Sequence, residues 1–231
     1  MISTGQRKPA LKKILSILGL LIGLVALIAS ISFYLGYVNY YRYQEEKKSI
    51  KSLESDFESL EARLEQAVRF YPLPVFYSEL GWLRLQRAMG EIEFGLPERS
   101  GQFLDSSREA LKEAISKNPV DHSFFWELSK VYFLYNYPLL TYAEKGRLLC
   151  QEAVRRHPYN DFLLINVAIV FVEQWPLLES SEKDWLRDSL QRLIAVDSGF
   201  IKRLKNKWRQ NYKETRSLEL KLAELGLESL D

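Results

Sequence analysis

Gln66-Ala67-Val68-Arg69-Phe70-Tyr71-Pro72, Glu113-Ala114-Ile115-Ser116-Lys117-Asn118-Pro119 and Glu152-Ala153-Val154-Arg155-Arg156-His157-Pro158 follow one pattern, a small residue five positions before a proline. An alanine lets a helix pack closely against a neighbour, and the proline, lacking an N–H, stops that helix. The prolines are 47 and 39 residues apart. Recurrence near 40 residues points to stacked helical units, each too small to bury its apolar face alone.

A second marker keeps the same period. Tyr137-Pro138-Leu139-Leu140 with Glu144-Lys145 returns as Trp175-Pro176-Leu177-Leu178 with Glu182-Lys183, and Pro138 and Pro176 are 38 apart. These segments read as the turns inside helical hairpins, and Thr141-x-x-Glu144 is expected to form a capping box. Each boundary proline is followed by an amphipathic stretch: Tyr77-x-x-Leu80-Gly81-x-x-Arg84, Phe125-x-x-Leu128-Ser129-x-x-Tyr132 and Leu164-x-x-Val167-Ala168-x-x-Phe171. Gly81, Ser129 and Ala168 are small enough for two helices to close on each other there.

These stretches resemble the tetratricopeptide pattern of aromatic-x-x-Leu-Gly-x-x-Tyr with Ala and Pro later in the unit. The resemblance spans residues 55–200 but departs from the family's shorter period. The extra residues are expected to lengthen turns, with Gly90, Gly95, Pro97, Ser100 and Gly101 forming a surface loop. A fourth unit is degenerate, with Leu193 and Ser198 replacing the Ala and Pro, as a terminal cap would be. The resemblance implies a scaffold that binds peptides or proteins. Carried over position by position, its concave face comprises Trp82, Leu85, Trp126, Lys130, Phe133, Ile165, Ile169 and Glu173. That face is a groove for a partner segment, or its side chains simply pack between repeats.

Ahead of the repeats, Ile14 to Tyr41 form 28 consecutive residues without a charge. A bilayer core needs about 20 helical residues. Tyr34, Tyr37, Tyr40, Tyr41 and Tyr43 crowd the distal end as an aromatic belt does. The apolar run is long for a cleaved signal peptide, and Ala29-Ser30-Ile31-Ser32 is a poor cleavage site. Arg7, Lys8, Lys12 and Lys13 precede the span, which puts the N-terminus in the cytoplasm and the repeats outside, periplasmic in a bacterium; the alternative is a cytoplasmic repeat domain. Gly19 and Gly23 form a GxxxG through which two spans can approach. Residues 44–68 read as one long helix with an a/d stripe, so residues 50–57 offer a second route to a homodimer, through Ile50, Leu53 and Phe57. Alternatively, Leu60, Leu64 and Ala67 form the inner face of the first repeat helix.

The net charge of +2 hides an asymmetry. Residues 1–43 hold five basic side chains and no acid, whereas residues 202–216 hold seven basic side chains against Glu214. In that second stretch Ile201, Leu204, Trp208 and Tyr212 recur at helical spacing between Lys202, Arg203, Lys205, Lys207 and Arg209. This is a basic amphipathic helix, either a cap on the repeats or a surface for anionic headgroups or an acidic partner. Thr215 to Leu227 read as one more short helix.

Nothing in the chain carries a phosphate loop, a nucleophile elbow or a zinc-helix motif. One cysteine, Cys150, excludes an intrachain disulfide. His122 and His157 both adjoin boundary prolines. No catalytic residue, metal or cofactor is expected, and no nucleic-acid partner. The expectation is therefore an all-α protein: a cytoplasmic basic tail (1–13), a transmembrane helix (14–41), a helical connector (42–58), a tetratricopeptide-like stack of antiparallel helix pairs (59–200) and basic capping helices (201–231). Its work is to recruit partner proteins in a membrane-associated envelope assembly. The alternatives are a structural subunit integrated in a larger membrane complex, and an envelope glycan-binding module or enzyme.

Overall fold

The computed structural model describes residues 7–49, 56–135 and 137–227. Among the described residues every regular element is a helix, and consecutive helices pack on each other. The chain divides into two compact units, Met1–Lys117 and Asn118–Asp231.

The first unit is built from α1 (Arg7–Ser49), α2 (Phe57–Phe70), α3 (Pro74–Glu93) and α4 (Pro97–Lys117). From Lys13 to Ile31 the side chains of α1 are exposed, and all but Lys13, Ser16 and Ser30 are apolar or glycine. Beyond that point α1 becomes the wall of a hairpin. A Cβ on Gly36 would stand 2.9 Å from Tyr71 Cβ and 3.3 Å from the Ala67 carbonyl, so α1 and α2 approach through a position that only glycine fits. Further along, Tyr43 is fully buried with Leu60, Leu64, Leu80 and Leu83. Its hydroxyl donates to Glu79 at 2.7 Å, and Lys47 pairs with the same carboxylate at 3.0 Å. Each fully buried leucine in such a cluster contributes about 1.5–3 kcal/mol.

Two sequence expectations change here. The single helix expected over 44–68 is two antiparallel helices: α1 ends at Ser49 and α2 starts at Phe57. Glu46 on α1 meets Ser59 and Arg63 on α2, which fixes the reversal. Leu60, Leu64 and Ala67 are fully buried on the inner face of α2. The tyrosine belt also divides. Tyr37 and Tyr40 lie against Phe76 of α3, while Tyr34 and Tyr41 face outward.

The glycine-rich insertion is helix instead of loop. It lengthens α3 and α4 to 20 and 21 residues, and Phe94–Leu96 alone turn the chain. Gly95 takes φ 74° there, and Gly90 and Gly101 sit inside the helices. The α3–α4 hairpin closes where expected. A Cβ on Gly81 would lie 2.6 Å from Leu111 Cγ, and Ser107 Oγ donates to the Gly81 carbonyl at 2.7 Å.

The second unit comprises α5 (His122–Leu134), α6 (Ala143–Arg156), α7 (Asp161–Glu173), α8 (Ser180–Val196), α9 (Phe200–Tyr212) and α10 (Arg216–Glu224). Asp121 and Asn160 accept backbone N–H bonds that cap α5 and α7. The capping box expected at Thr141 and Glu144 is absent, because α6 starts only at Ala143 and its first turn follows Tyr142. The box forms one repeat later, between Glu179 and Glu182. Ser129 meets Cys150 between α5 and α6, and burial pushes the Cys150 thiol up to about 12. Gly146 adds a second close approach that the sequence pattern did not mark, since its Cβ would overlap the Phe133 ring.

The turn after α7 is held by one buried cation. Arg147 of α6 donates to Glu182 at 2.7 Å, to Gln174 at 3.1 Å and to the Leu177 carbonyl at 3.4 Å. Removing one partner strands a buried charge, so Arg147→Ala is expected to lower unfolding stability by roughly 3–5 kcal/mol in chemical denaturation. The double variant Arg147→Met with Glu182→Leu is expected to recover most of that loss. Gly81→Val, which forces α3 off α4, is expected to cost about 1–3 kcal/mol in the same measurement.

Candidate partner-binding surface

The residues assigned to a concave face lie on the first helix of each hairpin, and packing sorts them. In the first unit, Leu85 is fully buried and belongs to the core of α3. Trp82 is half-buried against the leucine cluster, with Lys47 Nζ 3.9 Å from its ring centroid. The end of α1 thus lies across this part of α3. Such a cation on an aromatic face contributes about 0.5–2 kcal/mol.

In the second unit, α7 is covered by α9. Asp161, Ile165, Ile169 and Glu173 form one i, i+4 ridge of α7. Arg203 near the start of α9 pairs with Asp161 at 3.3 Å, and Tyr212 at its end bonds Glu173. The ridge therefore runs beneath α9, and Ile165 and Ile169 are buried. Of the two readings of this face, these two residues follow the one in which side chains pack within the chain. The groove on α7 is filled by the chain's own helix, whose Ile201, Leu204 and Trp208 are buried in turn.

Trp126, Lys130 and Phe133 lie on α5. Phe133 packs onto Gly146 and serves the hairpin. Trp126 is half-buried with Lys130 Nζ 5.1 Å from its ring centroid, and Lys130 also pairs with Glu127 at 2.7 Å. Trp126 with Lys130 is thus the part of the assigned face that keeps a recognisable aromatic-cation pair outside the core.

The basic residues of α9 divide likewise. Arg203 is held by Asp161 and Asp197, and Lys205 has partners of its own. Lys202 and Arg209 are exposed and Lys207 is half-buried, on the side away from the apolar stripe. In the apolar part of α1, a Cβ on Gly19 or Gly23 would meet open space. Ile50 and Leu53 lie outside the described residues, as do residues 1–6 of the basic tail.

The sequence reading missed one groove and one pair. The groove, of about 720 Å³, lies between the second helices α6 and α8 and is lined by Leu148, Leu149, Val154, Pro158, Trp185 and Arg192. Leu148 is 53% exposed, an unusual position for a leucine beside a tryptophan. A helical pattern cannot show this groove, because it arises from the spacing between two hairpins. The pair is His122 and His157, at equivalent hairpin boundaries, whose rings meet edge-on at 4.8 Å. Asn160 contacts His122 Nε2 at 3.1 Å. Burial, and then the His157 ring, lower the His122 pKa. Among the described residues no three His, Cys, Asp or Glu side chains are grouped to hold a metal ion.

No protein-family model matches this chain, and no curated protein matches it.

Two outcomes are expected. Leu204→Ala, which uncovers the α7 ridge, should cost roughly 2–5 kcal/mol, while Lys202→Ala and Arg209→Ala should stay within about 0.5 kcal/mol, all by thermal or urea unfolding. A lowered His122 pKa favours the neutral ring in the folded state. Its stabilising contribution is complete above the ordinary 6.5 of histidine and is lost as the pH falls below it. Melting temperature should therefore drop on acidification, and His122→Gln should flatten that drop.

Proposed function

We propose that this chain is a single-pass membrane protein whose tetratricopeptide-like helical repeats hold and recruit partner proteins in a membrane-associated assembly. One observation carries the reading. α1 is a single helix from Arg7 to Ser49, apolar and exposed in its first part and built into the first hairpin by its last turns. An unbroken rod of this kind presents the first helical unit at a fixed height above a bilayer, a geometry suited to assembly. The repeats supply contact surface: the α6–α8 groove with Leu148 and Trp185, and the Trp126–Lys130 pair. Aromatic anchors of this type dominate protein interfaces.

On this reading the basic tail lies in the cytoplasm and the helical units lie outside, in the periplasm of a bacterial envelope. The work is contact, with no chemistry assigned to any residue. A reporter enzyme active only outside the cytoplasm, fused after Leu227, should be active; a fusion that works only inside reverses the orientation.

A second reading, a permanent subunit of a larger membrane complex, is favoured by Val120, Tyr159 and Phe162, which are 75%, 60% and 70% exposed. Such side chains on the hairpin ends of the second unit suit burial against neighbours.

Gentle detergent extraction with identification of co-purifying proteins tests both readings. Trp185→Ala and Trp126→Ala are expected to weaken recovery of a specific partner by about 2 kcal/mol, roughly thirtyfold, with the circular dichroism melt unchanged. A permanent subunit would instead resist both substitutions and aggregate once its neighbours are stripped away.

A further inference from the structure

The turn between α2 and α3 lies level with the end of the apolar span. Phe33 is 20 residues beyond Lys13, the last charge before the span. At about 1.5 Å per residue that is about 30 Å, the thickness of a bilayer's hydrocarbon core. At that height Phe33 meets the Tyr71 ring edge-on at 5.0 Å, and Gly36 lies against Tyr71 Cβ. Because α2 runs back along α1 and α3 runs away again, Arg69 to Val75 are brought to the bilayer boundary.

The composition of this turn is unusual for a water-exposed one. From Gln66 to Ser78 the single charge is Arg69. Phe70 and Val75 are 39% and 40% exposed. Two of the turn's backbone donors are closed off and two more positions have none. Tyr71 N donates to the Ala67 carbonyl and Leu73 N to the Tyr71 carbonyl, both at 2.9 Å, while Pro72 and Pro74 have no N–H to satisfy. A turn with so few open donors loses little on entering the headgroup–acyl boundary. Arg69 remains to reach headgroup phosphates, as cationic side chains do at interfaces.

We infer that the α2–α3 turn dips into the headgroup–acyl boundary of the bilayer as a second membrane contact beside the span, with Phe70 and Val75 in the acyl region and Arg69 at the phosphates. This rests on the membrane reading of α1. The two contacts together set the rotation of the first unit about the rod.

Nitroxide labels on the full chain test it, at Phe70→Cys, Val75→Cys, Leu24→Cys in the span and Phe94→Cys. Phe94 is a fair comparison: it is 67% exposed and equally apolar, but the length of α3 carries it to the far end of the unit. Cys150 is fully buried and stays unlabelled. The protein is placed in vesicles of phosphatidylcholine with phosphatidylglycerol, and collisions with oxygen and with a water-soluble nickel chelate are compared. The expected result is several-fold higher oxygen-to-nickel ratios at positions 24, 70 and 75 than at 94. Position 24 in lipid with 70 and 75 as wet as 94 overturns the inference and leaves the span intact. Position 24 in water overturns both.

Discussion

Gly36 is where the two uses of α1 meet. Below it the helix is suited to lipid, and above it the helix is a wall of protein core. The approach to Tyr71 and Ala67 is so close that a single added methyl would push α2 away. The burial of Tyr43, Leu60 and Leu64 depends on that approach, since all three lie on the same α1–α2 seam. The Glu79 carboxylate then ties α3 to α1 through Tyr43 and Lys47. The first unit has no separable anchor; its innermost hairpin is made from the rod itself.

Much of this was legible in the sequence, and the failures have physical causes. The Ala-to-Pro pattern marked Ala67, Ala114 and Ala153, and all three are buried at helix-packing positions. Gly81 and Ser129 closed their hairpins because small-residue contacts are local and repeat. Leu35-Gly36 recurs as Leu80-Gly81, 45 residues later, and could have identified α1 as a repeat helix. It was hidden inside an apolar run, where hydropathy signals lipid regardless of what lies beside it. Gly90 and Gly101 read as loop residues because glycine costs about 1 kcal/mol in a helix, a penalty that packing between two long helices outweighs. The concave face was the least legible part. Whether Ile165 is covered depends on α9, nearly forty residues away, and no periodicity in α7 encodes that.

The covering has a pattern. Of the three helices that carry the assigned face, two have another helix of their own unit lying on them: the end of α1 over Trp82 of α3, and α9 over Ile165 and Ile169 of α7. The polar side chains at the two ends of α9, Arg203 and Tyr212, clamp it along α7, while Lys202 and Arg209 are exposed. In the second unit the Trp126–Lys130 pair on α5 stays outside the core, and a groove lies between second helices beside Trp185. The resemblance to repeat scaffolds thus identifies the kind of object correctly as helical, while two of the three helices that would carry its usual binding face are covered by the chain itself.

The continuity of α1 also makes the length of its apolar part an angular setting. A helix advances about 100° and 1.5 Å per residue. On the proposed reading of α1 as a membrane span, adding or removing one residue before Phe33 would therefore swing the first unit to a new compass heading relative to the lipid-facing part of the helix, with hardly any change in altitude. Neighbours in the same membrane would then meet a different side of it.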